Sequence, residues 1–371
     1  MNEAYDSLVA VADRIGAEWE KTGNDCAAFP EIAWQETEGL DLSHFGELSN
    51  LSALLRHPEV SRLQRHSTFS DLYFMLYDNG HFWVEVLNWW GSDINIHDHD
   101  FSGVQMQLAG QSLNVKYDYV GEDAVDGLLG DGRITVKSAE IWEPGDRSFV
   151  RPGDVEPHTV NHLSIPTVSL LFRTHPVARY GPQNNYFPPG IRSTYGIADI
   201  NFRTNVKLLR VLARGDKRKF HDTFAEVVAT QTPPQTLFTL IKMTDILFHR
   251  EHIQLIRDFS TSGHVLAEKI VEAAAYHRAT DFLINNVKRT PGLSDEQVFA
   301  VAVLGSVYDA ESLKAILARL EERGRSVDLH SILPGILSHC GEAKAQEVLN
   351  VIRLFGLTEA FDLPANPVPK R

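Results

Sequence analysis

The chain of 371 residues carries 49 acidic against 35 basic side chains, a formal charge of −14, and 43% of it is apolar. That apolar share supports a sizeable core and excludes a disordered chain, while the length suits two domains. The acidic balance disfavours nucleic acid and anionic membrane surfaces as partners, because both are polyanions. Cys26 and Cys340 stand far apart with no CxxC pair, the pattern of a reducing compartment.

Residues 1–65 are expected to be a helical segment with loops near Pro30 and Pro58. The opening MNEAYDSLVAVADRIGAEWEK spaces Tyr5, Leu8, Ala12, Ile15 and Trp19 at steps of three and four. This is one stripe of an amphipathic helix, and its charges are too evenly spread for a signal peptide. The longest apolar run, near Val298 to Leu304, is far too short for a bilayer. A soluble, cytoplasmic protein is the expectation.

Residues 66–200 carry the β signal and are expected to form a barrel. In LYFMLYDNGHFWVEVLNWW, Asn79-Gly80 separates two strand-like runs, a strong hairpin signal. Further short runs cover residues 94–99, 104–108, 113–119, 134–141, 148–151 and 167–173. Their number and spacing suggest a sandwich or small barrel. The stretch from Val177 to Ile191, rich in Pro, Gly, Asn and Tyr, reads as an ordered loop or linker.

Residues 201–371 read as an all-α domain, helical from about Asn205. Ser294-Asp295-Glu296-Gln297 forms a capping box before VFAVAVL. Asp309 is an expected N-cap for ESLKAILARLEERG, which stops at Gly324. The tail ANPVPKR is expected to fray. The fold class is therefore α+β: a helical N-terminal segment, a barrel and a helical C-terminal domain.

The chemistry concentrates in two stretches. Along a strand, alternate side chains share a face, so His97 and His99 point one way and Ile96 and Asp98 the other. Two imidazoles on one face can chelate one ion. About sixty residues later, the turn-like Arg151-Pro152-Gly153-Asp154 leads into Val155-Glu156-Pro157-His158. A histidine entering a strand there has the position of a third ligand. His162 follows four residues on, about 13 Å along a strand and too far for the same ion. It is read as supporting the ligands or lying on the surface, with the alternative that it replaces His158. His249 and His252 fall at i, i+3 on an expected helix and could face one ion; with Arg250 and Glu251 between them they are read as part of a solvated face, a second metal being the alternative.

Together these stretches resemble the two motifs of the cupin superfamily. Gly91, His97, His99 and Gly110 fall on the first motif's spacing, and Gly103 stands where that motif has a glutamate. The Pro-Gly turn, His158 and the later Asn161 follow the second. Within cupins, IHDH and HTVNHLSIPTVSLLFRTHP are most similar to the cysteine (thiol) dioxygenases, over roughly residues 70–176. That resemblance implies a double-stranded β-helix barrel and iron(II) held by His97, His99 and His158 without a carboxylate ligand. Imidazole would also suit zinc or nickel, and manganese is a further alternative.

The substrate apparatus of that family does not carry over. Its substrate arginine falls on Leu72 here, and its Ser-His-Tyr relay falls on Ser169, Leu171 and Arg173. No cysteine lies near Gly103 for a Cys–Tyr crosslink. Ser169 and Arg173 share a face by period two and are the candidate catalytic residues, Arg173 as an anchor for an anionic substrate. The leading expectation is a mononuclear non-haem iron dioxygenase using O₂ on a small polar metabolite, a thiol or amino-acid-like molecule. A metal-dependent isomerase or lyase, and a non-enzymatic small-molecule sensor, are the competing readings. Expected partners are the small molecule and O₂, with a homodimer as a further expectation.

Overall fold

A computed structural model describes residues 2–67, 69–90, 95–125, 127–194 and 200–363. The chain divides into two compact units, 1–116 with 138–183, and 117–137 with 184–371. The division runs through two long strands rather than at a single point in the sequence.

The first unit opens with α1 (Asn2–Lys21), α2 (Phe29–Glu36), α3 (Leu48–Leu54) and α4 (Pro58–Leu63). Pro30 and Pro58 lie in the first turns of α2 and α4, not in loops. Proline is preorganised for a first turn, where its missing N–H costs nothing. The expected α1 stripe is buried throughout, from Tyr5 to Trp19.

Nine strands run through the barrel: β1 (Leu72–Asp78), β2 (Phe82–Trp89), β3 (His97–His99), β4 (Gly103–Ala109), β5 (Ser112–Val125), β6 (Leu129–Trp142), β7 (Arg147–Val150), β8 (Gly153–His162) and β9 (Thr167–Thr174). One sheet has the order β1-β2-β9-β4-β7, and the other runs β3-β8-β5-β6. From β2 to β5 and again from β6 to β9, strands that follow one another in the chain alternate between the sheets, the wiring of a double-stranded β-helix. The Asn79-Gly80 hairpin forms between β1 and β2, with Gly80 at φ +84°.

Alternation sorts the residues of the first sheet. Phe82, Val84 and Val86 of β2, Val104 and Met106 of β4, and Val168, Leu170 and Phe172 of β9 pack in one core with α1 residues Leu8, Ile15 and Trp19. The opposite faces of these strands line the barrel interior. The helices therefore cover the outer face of this sheet, which hydrophobic burial alone requires.

The second unit holds the other halves of β5 and β6, with β10 (Asn184–Phe187) and β11 (Ile191–Thr194) added in the order β10-β11-β6. The stretch expected as a loop from Val177 to Ile191 thus contains most of a hairpin. Asn184–Phe187 is too short to show a period. Its partner makes it a strand: Asn185 and Phe187 pair with Ser193 and Ile191 of β11, which pair in turn with Leu129 and Asp131 of β6.

Helices then follow: α5 (Ile200–Gly215), α6 (Lys217–Thr230), α7 (Pro233–Lys242), α8 (Thr244–Leu247), α9 (Ile253–Ser260), α10 (Ala267–Phe282), α11 (Asp295–Leu304), α12 (Ala310–Glu321), α13 (Leu329–His339) and α14 (Glu342–Leu354). Helical structure begins slightly earlier than expected from Asn205. The capping box at Ser294 and the cap at Asp309 are both present. His249 and His252 lie in the turn between α8 and α9, not on a helix. The ANPVPKR tail lies outside the described residues. No described helix is long and apolar enough to cross a membrane.

Candidate metal centre

β3 is only three residues long, and its alternation turns His97 and His99 to the same side. His158 lies directly across the ladder from His97, whereas His99 pairs with Gly153. Two steps on β3 are thus matched by five on β8 (158 − 153). The slack falls on residues 154–157. Pro157 has no N–H to give a ladder, so it fits such an irregularity.

This arrangement brings the three rings together. Their centroids are 4.9 Å (His97–His99), 4.8 Å (His97–His158) and 4.9 Å (His99–His158) apart, a nearly equilateral set. Their ligand atoms all lie within 4.8 Å of one another, and all three residues are buried. His162, the alternative to His158, is not part of the group.

Hydrogen bonds set which nitrogen is available. His97 Nδ1 is 2.8 Å from the Asn95 carbonyl oxygen, and His158 Nδ1 is 2.8 Å from Asn114 Oδ1. Both partners only accept, so each Nδ1 carries the proton and each Nε2 keeps its lone pair. Asn114 is itself oriented by donating from Nδ2 to Glu140 Oε1 at 3.3 Å. Burial lowers the proton affinity of His97 to a pKa of about 4, against a small opposing contribution from Asn95. Burial, then mutual repulsion, takes His99 and His158 well below the usual histidine value. At neutral pH all three are neutral imidazoles, the form that binds metal.

The rings open onto a cavity walled by Phe69, Leu87, Trp89, Phe101, Val150, Val160 and Leu171. Its polar side chains beyond the three histidines are Gln105 and His162. About 30 Å³ is open to a water-sized sphere, room for one or two waters. His162 stacks on Trp89 at 4.9 Å and 23°, and its Nδ1 is 3.1 Å from Ser112 Oγ. No lysine or arginine lines this cavity among the described residues. That differs from the expected polar setting for an amino-acid-like substrate.

The glutamate position of the first motif is closed. A Cβ on Gly103 would stand 2.4 Å from the Phe172 carbonyl oxygen, because β4 and β9 approach closely there. Gly103 therefore cannot lend a side chain to an ion. Gly91, which opens the motif spacing, and Ile94 lie outside the described residues.

The two candidate catalytic residues sit elsewhere in the barrel. The side chain of Arg173 is only 14% exposed and lies 3.7 Å from Glu85 and 3.9 Å from Asp100. Its guanidinium packs on Phe101 at 3.3 Å and Trp83 at 4.4 Å. Phe101 in turn meets His99 at 4.9 Å, and the Arg173 charge helps lower the proton affinity of His99. Arg173 is thus held by acids and does not wall the cavity. Ser169 is buried, opposite Leu87 and Gln107 in the ladders, and does not line the cavity either. Leu72, at the family's substrate-arginine position, begins the edge strand β1 and is 37% exposed.

Sequence reading missed Glu85. It is almost fully buried and accepts hydrogen bonds from Tyr73 and Trp83. Burial raises its pKa, and Arg173 opposes that rise. A carboxylate in the middle of the apolar run FWVEVLNWW was the available signal. Among the aromatics, Trp89 lines the cavity and Trp90 is exposed. Tyr117 donates to the Ser306 carbonyl within the second unit.

The donor set fits a transition metal: three neutral imidazoles, two with their lone pairs set by hydrogen bonds, on one side of a small cavity. No family model matches the chain, and no curated protein matches it. Solved structures match in part. A hydroquinone 1,2-dioxygenase from Sphingomonas sp. is 12% identical, over 30% of this chain and 70% of its own, with a TM-score of 0.24. A protein with a double-stranded β-helix domain from Klebsiella pneumoniae is 14% identical, over 37% and 95%, with a TM-score of 0.21. A sugar phosphate isomerase of the cupin superfamily from Silicibacter pomeroyi is 18% identical, over 33% and 75%, with a TM-score of 0.22. At this level a likeness carries no activity across.

Proposed function

We propose that His97, His99 and His158 hold one divalent transition-metal ion, iron(II) by preference, and that the barrel is an O₂-using oxygenase of a small molecule. The observation that carries this reading is the nearly equilateral set of three buried imidazoles, beside a Gly103 position that excludes a carboxylate ligand. Bound there, such an ion supplies Lewis acidity and open coordination positions for substrate and O₂.

The chain's own residues do the rest. Asn95 and Asn114 hold two rings in the ligating tautomer. Phe69, Trp89, Phe101 and Leu171 exclude water and select a small, largely apolar substrate body. Gln105 and His162 orient its polar atoms. Arg173, tied to Glu85 and Asp100, backs Phe101 and keeps that wall in place. The chemistry of this lining suits thiols and small phenols better than a zwitterionic amino acid, and the cavity of about 30 Å³ must widen to admit either.

Metal analysis, followed by an O₂-electrode screen of thiols, amino acids and small phenols, tests the reading. Substrate-dependent O₂ uptake that disappears in His97→Ala supports it. Turnover without O₂ would replace it with an isomerase or lyase, and binding without turnover would make the barrel a sensor.

A further inference from the structure

The helical unit contains a histidine pair that the barrel chemistry does not use. His221 lies one turn into α6, and His252 stands immediately before α9. His221 Nε2 and His252 Nδ1 face each other at 3.0 Å, with ring centroids 5.3 Å apart and planes inclined at 73°. His252 is 6% exposed, and its ring meets Phe220 edge-on at 5.0 Å. The helices that carry the pair are fixed by a shared core of Phe220, Phe224, Ile256 and Phe259.

Two neutral imidazoles at this separation share one hydrogen bond. The same separation suits another occupant. Two nitrogens bound side by side to one ion, each at about 2.0–2.1 Å, stand about 2.9–3.4 Å apart. The nitrogens of His221 and His252 therefore already have the spacing of two ligands on one metal, and turning the rings so that both lone pairs leave the N···N line and meet at the ion completes the geometry.

We propose that His221 and His252 form a second binding site for a divalent transition-metal ion of the zinc, nickel or copper class, which clamps α6 to α9. Imidazole donors favour that class over magnesium or calcium. Binding displaces the proton shared between the rings to the outer nitrogen of the ring that carries it, so no proton is lost. Burial, then the neighbouring His221 and Lys217, lowers the proton affinity of His252, which keeps it neutral and ready to ligate.

Two other polar side chains are close by in sequence. His249 is one turn ahead: its carbonyl accepts the His252 N–H at 2.9 Å, and its exposed ring faces the Glu251 backbone. Both His249 and Glu251 lie close enough to shift the proton affinity of His252. Neither joins the pair in a three-residue ligand group among the described residues, so water fills the remaining coordination positions.

Titration of the full chain with nickel(II) or zinc(II), read by calorimetry and thermal melting, tests the site. The His97→Ala/His99→Ala chain lacks the barrel triad, so the histidine pair is read alone in it. That chain is expected to bind one ion and to melt at a higher temperature with metal than without. Adding His221→Gln should abolish both the stoichiometric binding and the metal-dependent shift. His221 is only partly buried, so its substitution decides the matter even where loss of the buried His252 unfolds the unit. If the double variant binds no ion, or binds it equally well with His221→Gln, the pair is only a hydrogen bond between helices. Because the barrel triad is absent throughout, failure here leaves the oxygenase reading untouched.

Discussion

Asn114 offers the sharpest test of how the barrel prepares its metal site. Its Oδ1 accepts from His158 Nδ1 at 2.8 Å, and its Nδ2 is held by Glu140 at 3.3 Å. It touches no ion. Asn114→Ala removes the acceptor that keeps the proton on Nδ1, so His158 samples the tautomer in which Nε2 is protonated and cannot bind. Loss of such a supporting partner typically weakens metal binding by about 10–100-fold. That corresponds to about 1.4–2.7 kcal/mol of binding free energy. The buried Nδ1–H is also left without its acceptor, which costs about 1–3 kcal/mol of folding stability. Asn114→Asp keeps an acceptor at the same place and should retain metal better than the alanine variant. Competition against a chelator of known affinity measures the first effect, and urea unfolding of the metal-free chain measures the second. Unchanged metal affinity in a folded Asn114→Ala chain would refute the argument that this hydrogen bond sets the ligand tautomer.

Three further perturbations follow from the same geometry. His158→Ala should lose the metal, whereas His162→Ala, which removes a cavity wall and not a ligand, should keep it; metal analysis of both decides the third ligand, and the reverse result would reassign it. Gly103→Ala places a Cβ against the Phe172 carbonyl oxygen and should destabilise the barrel by about 1–3 kcal/mol, seen as a lowered urea midpoint; a neutral effect would mean that β4 and β9 are free to separate. His277 is pushed by burial to a pKa of about 4 from 6.5, so the unfolded chain binds the extra proton first. Its contribution to stability is complete above about pH 6.5 and falls as pH drops towards 4, by up to about 3 kcal/mol. His277→Gln should flatten that part of the stability–pH profile, and an unchanged slope between pH 6.5 and 4 would count against it.

Much of this protein was legible locally. The α1 stripe, the Asn79-Gly80 hairpin, the capping box at Ser294 and the shared face of His97 and His99 all depend on residues a few positions apart. Periodicity and side-chain chemistry determine such features before any distant contact forms. Pairing over longer distances was not legible. The sequence preferred His158 to His162 from the turn before it, but the contact of His158 with His97 follows from how β8 sets against β3, where five residues answer two. Asn184–Phe187 is a strand because a partner strand lies beside it. Arg173 looked like a substrate anchor by its face alone, but Glu85, far away in sequence, gave it a different partner. His252 looked like part of a solvated helix until the turn before α9 brought it against His221. For the barrel histidines and Arg173 the sequence by itself determined which face a side chain occupies, whereas for Asn184–Phe187 and His252 it did not determine even the element. The tertiary structure decided what stands opposite, because a buried polar group takes whichever partner the packed strands and helices bring within hydrogen-bonding reach.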